Sequence, residues 1–507
     1  MWTIILLVFL TFVIYRHFKK SLIYWKEQNV QHDRPFPIFG NMLPILLGKI
    51  SNVEMIQKLY NKYSSGRYVG LYNFGATSLV LRDPELIKKI TVKEFETFPE
   101  HRPFIPSDVD PLWSNNLFAM EGGEKWHQLR STLSPSFTSS KMKAMFVLMK
   151  ECTKEFINYF ESKGDSVDVE LKDSFARFGN DVIATTAFGV TCNSLSDPKN
   201  EFYVLGKELM NFKGLRRIIF MLNLICPTMA RITRVSFFPE KIRKFFGSLI
   251  KETLQLRREK KVVRPDMIHL LMEYQKENPT QEEDAHSTPE AGFAVVEESV
   301  FGKTKQKLKL EVTDDIITSQ VMIFFFAGLD TVSTMMSYTI YELALNPDIQ
   351  SRLRAEIEDA LRSSDGKLTY DNLMRMKYLD MVISGPTETP VFLQKHSHVI
   401  CPIFAIHRDP KYYHNPDKFD PERFNDENRS SIHPYTYLPF GAGPRNCIGS
   451  RFALLEGKLI IAEIVRNFEI VPVRKTQVPI VFSTTNFNPL PDNGIWVGFR
   501  RRKEDEI

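Results

Sequence analysis

Paired cysteines are missing from this sequence. Its five cysteines (Cys152, Cys192, Cys226, Cys401 and Cys447) are scattered, odd in number and never spaced as Cys-x-x-Cys. That pattern excludes a disulfide framework and a structural zinc site, and it suits a reducing compartment. No Gly-x-Gly-x-x-Gly fingerprint occurs, so no nucleotide site of that kind is encoded. Charge of one sign is scarce as well. The net charge is only +5, and the basic runs are short and lack interleaved aromatics, which excludes nucleic acid as a partner. No internal repeat is present.

What is there is an ordinary globular composition, 43% apolar and 25% charged, in 507 residues that can bury a substantial core. The 39 Phe residues fit either an aromatic core or an apolar ligand cavity. Trp2 to Tyr15 is an apolar run softened only by Thr3 and Thr11, and Arg16, His17, Lys19 and Lys20 follow at once. A cleaved signal peptide has the reverse order of charge, so a retained membrane anchor is expected over residues 1–20. The basic flank puts the remainder on the cytosolic side. Pro35, Pro37 and Pro44 predict a stiff linker over 21–50, followed by one large domain over 51–507.

Within that domain the expected fold is mainly α with small β-sheets. Strand signals occur at Tyr68 to Tyr72, Thr77 to Arg82, Pro479 to Ser483 and Ile495 to Phe499. Lys276 to Lys309 reads as a polar surface excursion. Thr313-Asp-Asp315 then opens a long apolar helix that runs to Asn346, with a good N-cap and two acids in its first turn. Having almost no charge in its middle, this helix must cross the centre of the fold.

The strongest local signal surrounds Cys447, in Phe440-Gly-Ala-Gly-Pro-Arg-Asn-Cys-Ile-Gly449. Gly441, Gly443 and Gly449 permit a tight loop and close backbone approach to a flat cofactor. A helix predicted over Ser450 to Asn467 puts the sulfur near a helix N-terminus, which together with backbone N–H groups favours a thiolate. Arg445 is placed to reach a carboxylate. A lone Cys in a glycine turn is usually structural, but Phe, glycines, Arg and Cys at these offsets together point to a metal ligand.

Phe440-x-x-Gly443-x-Arg445-x-Cys447-x-Gly449 resembles the haem-binding loop of the cytochrome P-450 monooxygenases, and the similarity covers nearly the whole chain. It is most similar to the microsomal type, especially insect forms that oxidise hydrophobic toxins. The resemblance implies the cytochrome P-450 fold, a haem with Cys447 as axial thiolate, and Phe440, Gly443 and Gly449 shaping the loop. In Ala327-Gly328-Leu329-Asp330-Thr331 it implies a bulge at Gly328 that leaves space over the iron, with Asp330 and Thr331 relaying protons. Trp126 and Arg130, one helical turn apart, would hold a haem propionate with Arg445, and His101 and Arg102 stand nearby. Phe104 to Asn116, Met210 to Phe220, Phe324 to Phe326 and Ser483 to Asn488 would line a cavity for a hydrophobic substrate. Electrons would come from NADPH through a separate flavoprotein reductase, met by Lys141, Lys143 and Arg445. The location implied is the endoplasmic reticulum membrane.

One departure is sharp. Pro421-Glu-Arg-Phe424 is present, but the partner Glu-x-x-Arg should fall at 385 and 388, after a helix over Tyr370 to Ser384. The sequence has Gly385, Pro386 and Glu388 there, and proline costs ~3 kcal/mol inside a helix. The stretch from Gly385 to Ile406 is also shorter than its family counterpart, which the resemblance expects to supply an Arg for the second propionate; Lys395 and His396 are the only cationic substitutes. Arg423 would then lose its partners, and breaking a buried ion pair costs roughly 3–5 kcal/mol. A missing or misjoined exon accounts for the abruptness. The competing expectation is an inactive member that binds haem or an apolar ligand without turnover. A thiol or zinc hydrolase would need a histidine motif beside Cys447 that is absent.

Overall fold

The protein is described by a computed structural model covering residues 22–74, 76–101, 105–209, 231–232, 234, 236, 238–262, 264, 266–276, 312–383, 398–484 and 489–502. The expected anchor over 1–20 lies outside these residues. So do Arg102, Met210 to Phe220 and the positions of the missing Glu-x-x-Arg motif.

Among the described residues, two three-stranded sheets accompany the helices. The first joins β1 (Tyr68–Asn73) and β2 (Ala76–Leu81), antiparallel with Tyr68 opposite Leu81. The second begins with β3 (Ser166–Glu170). To the first sheet, β4 (His398–Ile400) adds parallel to β2, with Ser78 opposite His398. β5 (Phe468–Val471) and β6 (Trp496–Arg501) complete the second sheet, with β6 central. The strand expected at Pro479 to Ser483 does not form. Proline removes a ladder donor, and Val478 and Val481 are left in solvent, so this stretch is irregular.

Seven helices position the site: α1 (Glu124–Leu133), α2 (Ser139–Glu161), α3 (Leu171–Ile183), α4 (Asp314–Leu345), α5 (Pro347–Arg362), α6 (Lys377–Ile383) and α7 (Ser450–Asn467). α4 begins where its cap dictates. The Thr313 hydroxyl accepts from the Ile316 N–H at 3.3 Å, and Pro347 closes it by opening α5. By length and composition α4 could cross a membrane, but α3, α5 and α7 cover it and it is the core helix of the domain. The helix expected over Tyr370 to Ser384 is broken. Met376 adopts an extended conformation (ψ 97°) between Tyr370–Arg375 and α6.

Many phenylalanines go into packing rather than into a cavity. Phe156 stacks on Phe175 at 5.6 Å, and Phe188, Phe202, Phe246 and Phe325 form a cluster of edge-to-face and tilted rings. Residues 22–50 likewise differ from the expected spacer. Trp25 is 2% exposed, its indole N–H donates to the Leu71 carbonyl at 3.2 Å, and its backbone N–H donates to the Tyr72 hydroxyl at 2.9 Å. Gly40 (φ +62°) lies so close to β1 that a Cβ there would sit 2.3 Å from the Tyr72 carbonyl oxygen. This segment is therefore part of the domain.

Candidate active site

The loop from Phe440 to Gly449 faces the middle of α4 across a cavity of about 350 Å³, lined almost entirely by apolar groups. Local chemistry builds the loop. The Cys447 N–H donates to the Phe440 carbonyl at 2.8 Å and the Asn446 N–H to the Gly443 carbonyl at 3.0 Å. Gly443 has φ +69°, and a Cβ there would lie 1.8 Å from the Thr91 carbonyl oxygen. Only glycine fits, and its role is to seat the loop on Thr91 rather than to line the cavity.

Cys447 opens onto the cavity. Its thiol pKa is pushed up by burial, while the Gly449 N–H and Arg130 act the other way. Desolvation thus outweighs the backbone N–H groups and helix N-terminus that were expected to favour a thiolate. Phe440, Gly449, Ala327, Gly328 and Thr331 also line the cavity.

Trp126, Arg130 and Arg445 line the same cavity. Arg130 donates to the Asn446 carbonyl at 2.9 Å, and Trp126 to the Leu117 carbonyl at 3.0 Å. Arg445 lies 4.1 Å over the Trp126 ring and donates to the carbonyls of Pro99 (2.7 Å), Leu117 (3.1 Å) and Met120 (2.9 Å). Burial lowers its pKa to about 10. His101 lines the cavity too, beside Phe118, its pKa also lowered by burial. Because Arg445 faces inward, the expectation that it meets a partner protein fails, and Lys143 is already paired with Asp371 at 2.9 Å. A thiol on one wall, apolar surroundings and cationic groups gathered at one end fit a flat iron cofactor bearing carboxylates.

The oxygen-side helix departs from expectation in three ways. α4 is continuously α-helical, with no bulge at Gly328; the Thr331 hydroxyl donates to the Ala327 carbonyl at 2.7 Å within regular helix. The missing Cβ of Gly328 points at α3, where it would meet Ile183 Cδ1 at 2.1 Å, so this glycine sets helix packing. Asp330 does not line the cavity. Its carboxylate pairs with Lys172 at 2.7 Å, and Lys172 also donates to the Asp330 carbonyl, Ser333 and Thr334. One residue along a helix turns the side chain by about 100°, so Thr331 and Asp330 cannot face the same way. Lys172 carries no local signal in sequence; only the buried acid on α4 implied a cation. Among Phe324 to Phe326, Phe324 alone reaches the cavity.

Arg423 is not stranded. It is half-buried, and its guanidinium donates to the carbonyls of His414, Asn415 (2.5 Å) and Lys418 (3.2 Å). The expected penalty of a broken buried pair therefore does not arise.

The cytochrome P450 family model matches residues 30–384 and 387–496. The chain belongs to that family. It is 42% identical to cytochrome P450 9e2 of Blattella germanica over 94% of each chain. It is 36% identical to probable cytochrome P450 9f2 of Drosophila melanogaster over 97% of each. Cytochrome P450 6k1 of Blattella germanica is 33% identical, over 98% of this chain and 96% of its own. A P450 is a haem-thiolate monooxygenase of one large, mostly helical domain, and the relatives named here are insect P450s. The match is interrupted between 384 and 387, where the sequence itself departs from the pattern.

Proposed function

We propose that Cys447 would ligate the haem iron of this P450 and that the chain oxidises a hydrophobic small molecule bound over the Ala327–Thr331 segment of α4. The observation that carries this reading is the Cys447 thiol opening on an apolar cavity that ends at Arg130, Arg445 and Trp126. A bound haem supplies the iron at which dioxygen is activated, and iron coordination would deprotonate the thiol that burial otherwise keeps protonated. Arg130 and Arg445 would hold its carboxylates, with Trp126 packed under Arg445 and its own N–H donating to the Leu117 carbonyl. Phe324, Phe137 and Ile323 exclude water and favour an apolar substrate. The Thr331 hydroxyl holds a proton at Oγ1 on the cavity side, and the Asp330–Lys172 pair holds an exchangeable proton behind it. We assign electron supply to a flavoprotein that takes NADPH, since the chain has no nucleotide fingerprint, and residence on the endoplasmic reticulum membrane through residues 1–20.

A reduced carbon-monoxide difference spectrum tests the ligand. The parental chain is expected to give a thiolate-type Soret band and Cys447→Ala to lose it; survival of the band in the variant refutes the assignment. A second reading, a chain that binds haem without turnover, is favoured by Gly385, Pro386 and Glu388 in place of the family's brace. A parental chain that takes up haem yet gives no thiolate-type band supports it.

A further inference from the structure

Away from the cavity lies a buried ion cluster with no assigned role. Lys458, in the middle of α7, is 0% exposed, and its Nζ stands 2.5 Å from Asp380 Oδ1 on α6. Glu356 on α5 accepts from the backbone N–H groups of Tyr378 (2.7 Å) and Leu379 (2.9 Å), and so caps the start of α6. Burial pushes both carboxyls up, and Lys458 pulls both down, with Arg429 assisting at Asp380. Lys458 is therefore the fully buried basic group that faces these two carboxyls.

The position of α6 gives the cluster its meaning. α6 packs against the Pro421–Phe424 turn that carries Arg423, and also against α7, which starts three residues after Cys447. The Glu-x-x-Arg letters that would join this turn to the haem loop are absent from the sequence, and Arg423 bonds to backbone carbonyls of its own segment. Apolar contacts between helices can slide by a fraction of a turn. A buried charge pair cannot slide without stranding an ion.

We propose that the Lys458–Asp380 pair is the brace of this P450: a positioning pair that fixes α7, and with it the Cys447 loop, against α6 and the Arg423 turn. The inference rests on Cys447 being the ligand. Neither residue lines the cavity, so both act through α7.

The test uses the full chain loaded with haem. Lys458→Met and Asp380→Asn are expected to convert from a thiolate-type to a thiol-type Soret band several-fold faster than the parent, at urea concentrations where all remain folded. The control is Arg257→Met, which breaks another buried pair (Arg257–Asp266, 2.6 Å). It is expected to lower the urea midpoint while leaving the conversion rate unchanged. Variants of Lys458 and Asp380 that behave like this control overturn the proposal. Failure of both to fold overturns it too, because the pair then serves folding alone. Failure of the ligand reading looks different: the parent itself lacks the thiolate-type band, and Cys447→Ala changes nothing.

Discussion

At Gly443 two demands coincide, a positive φ and a backbone oxygen where a Cβ would stand. Left-handed backbone costs a non-glycine residue about 1–3 kcal/mol, and the clash with Thr91 adds to it. Gly443→Ala is therefore expected to lower the urea midpoint and to reduce haem retained on gel filtration. His407 offers a test of a different kind. Burial, with Arg408 beside it, pushes its pKa down to about 3, whereas an unfolded histidine titrates near ~6.5. The unfolded chain binds the extra proton between these values. The contribution of His407 is thus complete above the unfolded pKa and is lost as pH falls toward the folded one, with a slope approaching ~1.4 kcal/mol per pH unit. His407→Asn should flatten that loss, and urea midpoints of parent and variant at about pH 7 and about pH 5 will show whether it does.

Between elements, α3 packs closely against α4. A methyl group at position 328 would overlap Ile183 Cδ1, and overpacking of this kind costs typically 1–3 kcal/mol. Gly328→Ala should destabilise within that range, and Ile183→Ala in the same chain should recover part of the loss. A double-mutant cycle in urea gives the coupling, and purely additive effects would count against the contact. α4 and α7 are legible in sequence because their signals are local: a threonine cap, acids in the first turn, a proline at the end, apolar residues at helical spacing. The break at Met376 had no such marker. β3 and β5 are short, and they exist because β6 pairs with both, so their partners lie far along the chain.

For the molecule as a whole, residues 22–50 belong to the folded domain. Trp25 reaches across 46 residues to Leu71 and fills the space over Gly70, where a Cβ would touch its ring at 2.5 Å. Trp25→Ala is expected to cost about 3–5 kcal/mol and to expose residues 22–50 to limited proteolysis. A variant as protease-resistant as the parent would show that the segment is held elsewhere. The same non-local logic applies to Asp330 and Lys172, separated by 158 residues, and to Arg423, whose carbonyl partners come from an irregular segment that no periodicity describes.

The sequence by itself determined the Cys447 loop, the helix that follows it, the central helix and the family, because glycine conformations, caps and apolar spacing are set between neighbours in the chain. The tertiary structure alone decided that Asp330 faces Lys172 instead of the cavity, that Gly328 serves helix packing, and that Arg423 is satisfied by carbonyls. It also placed Lys458 against Asp380. Each of these depends on which distant side chain fills the space opposite, and burial makes that choice energetically binding: a polar group removed from water must find its partner wherever the fold has put one.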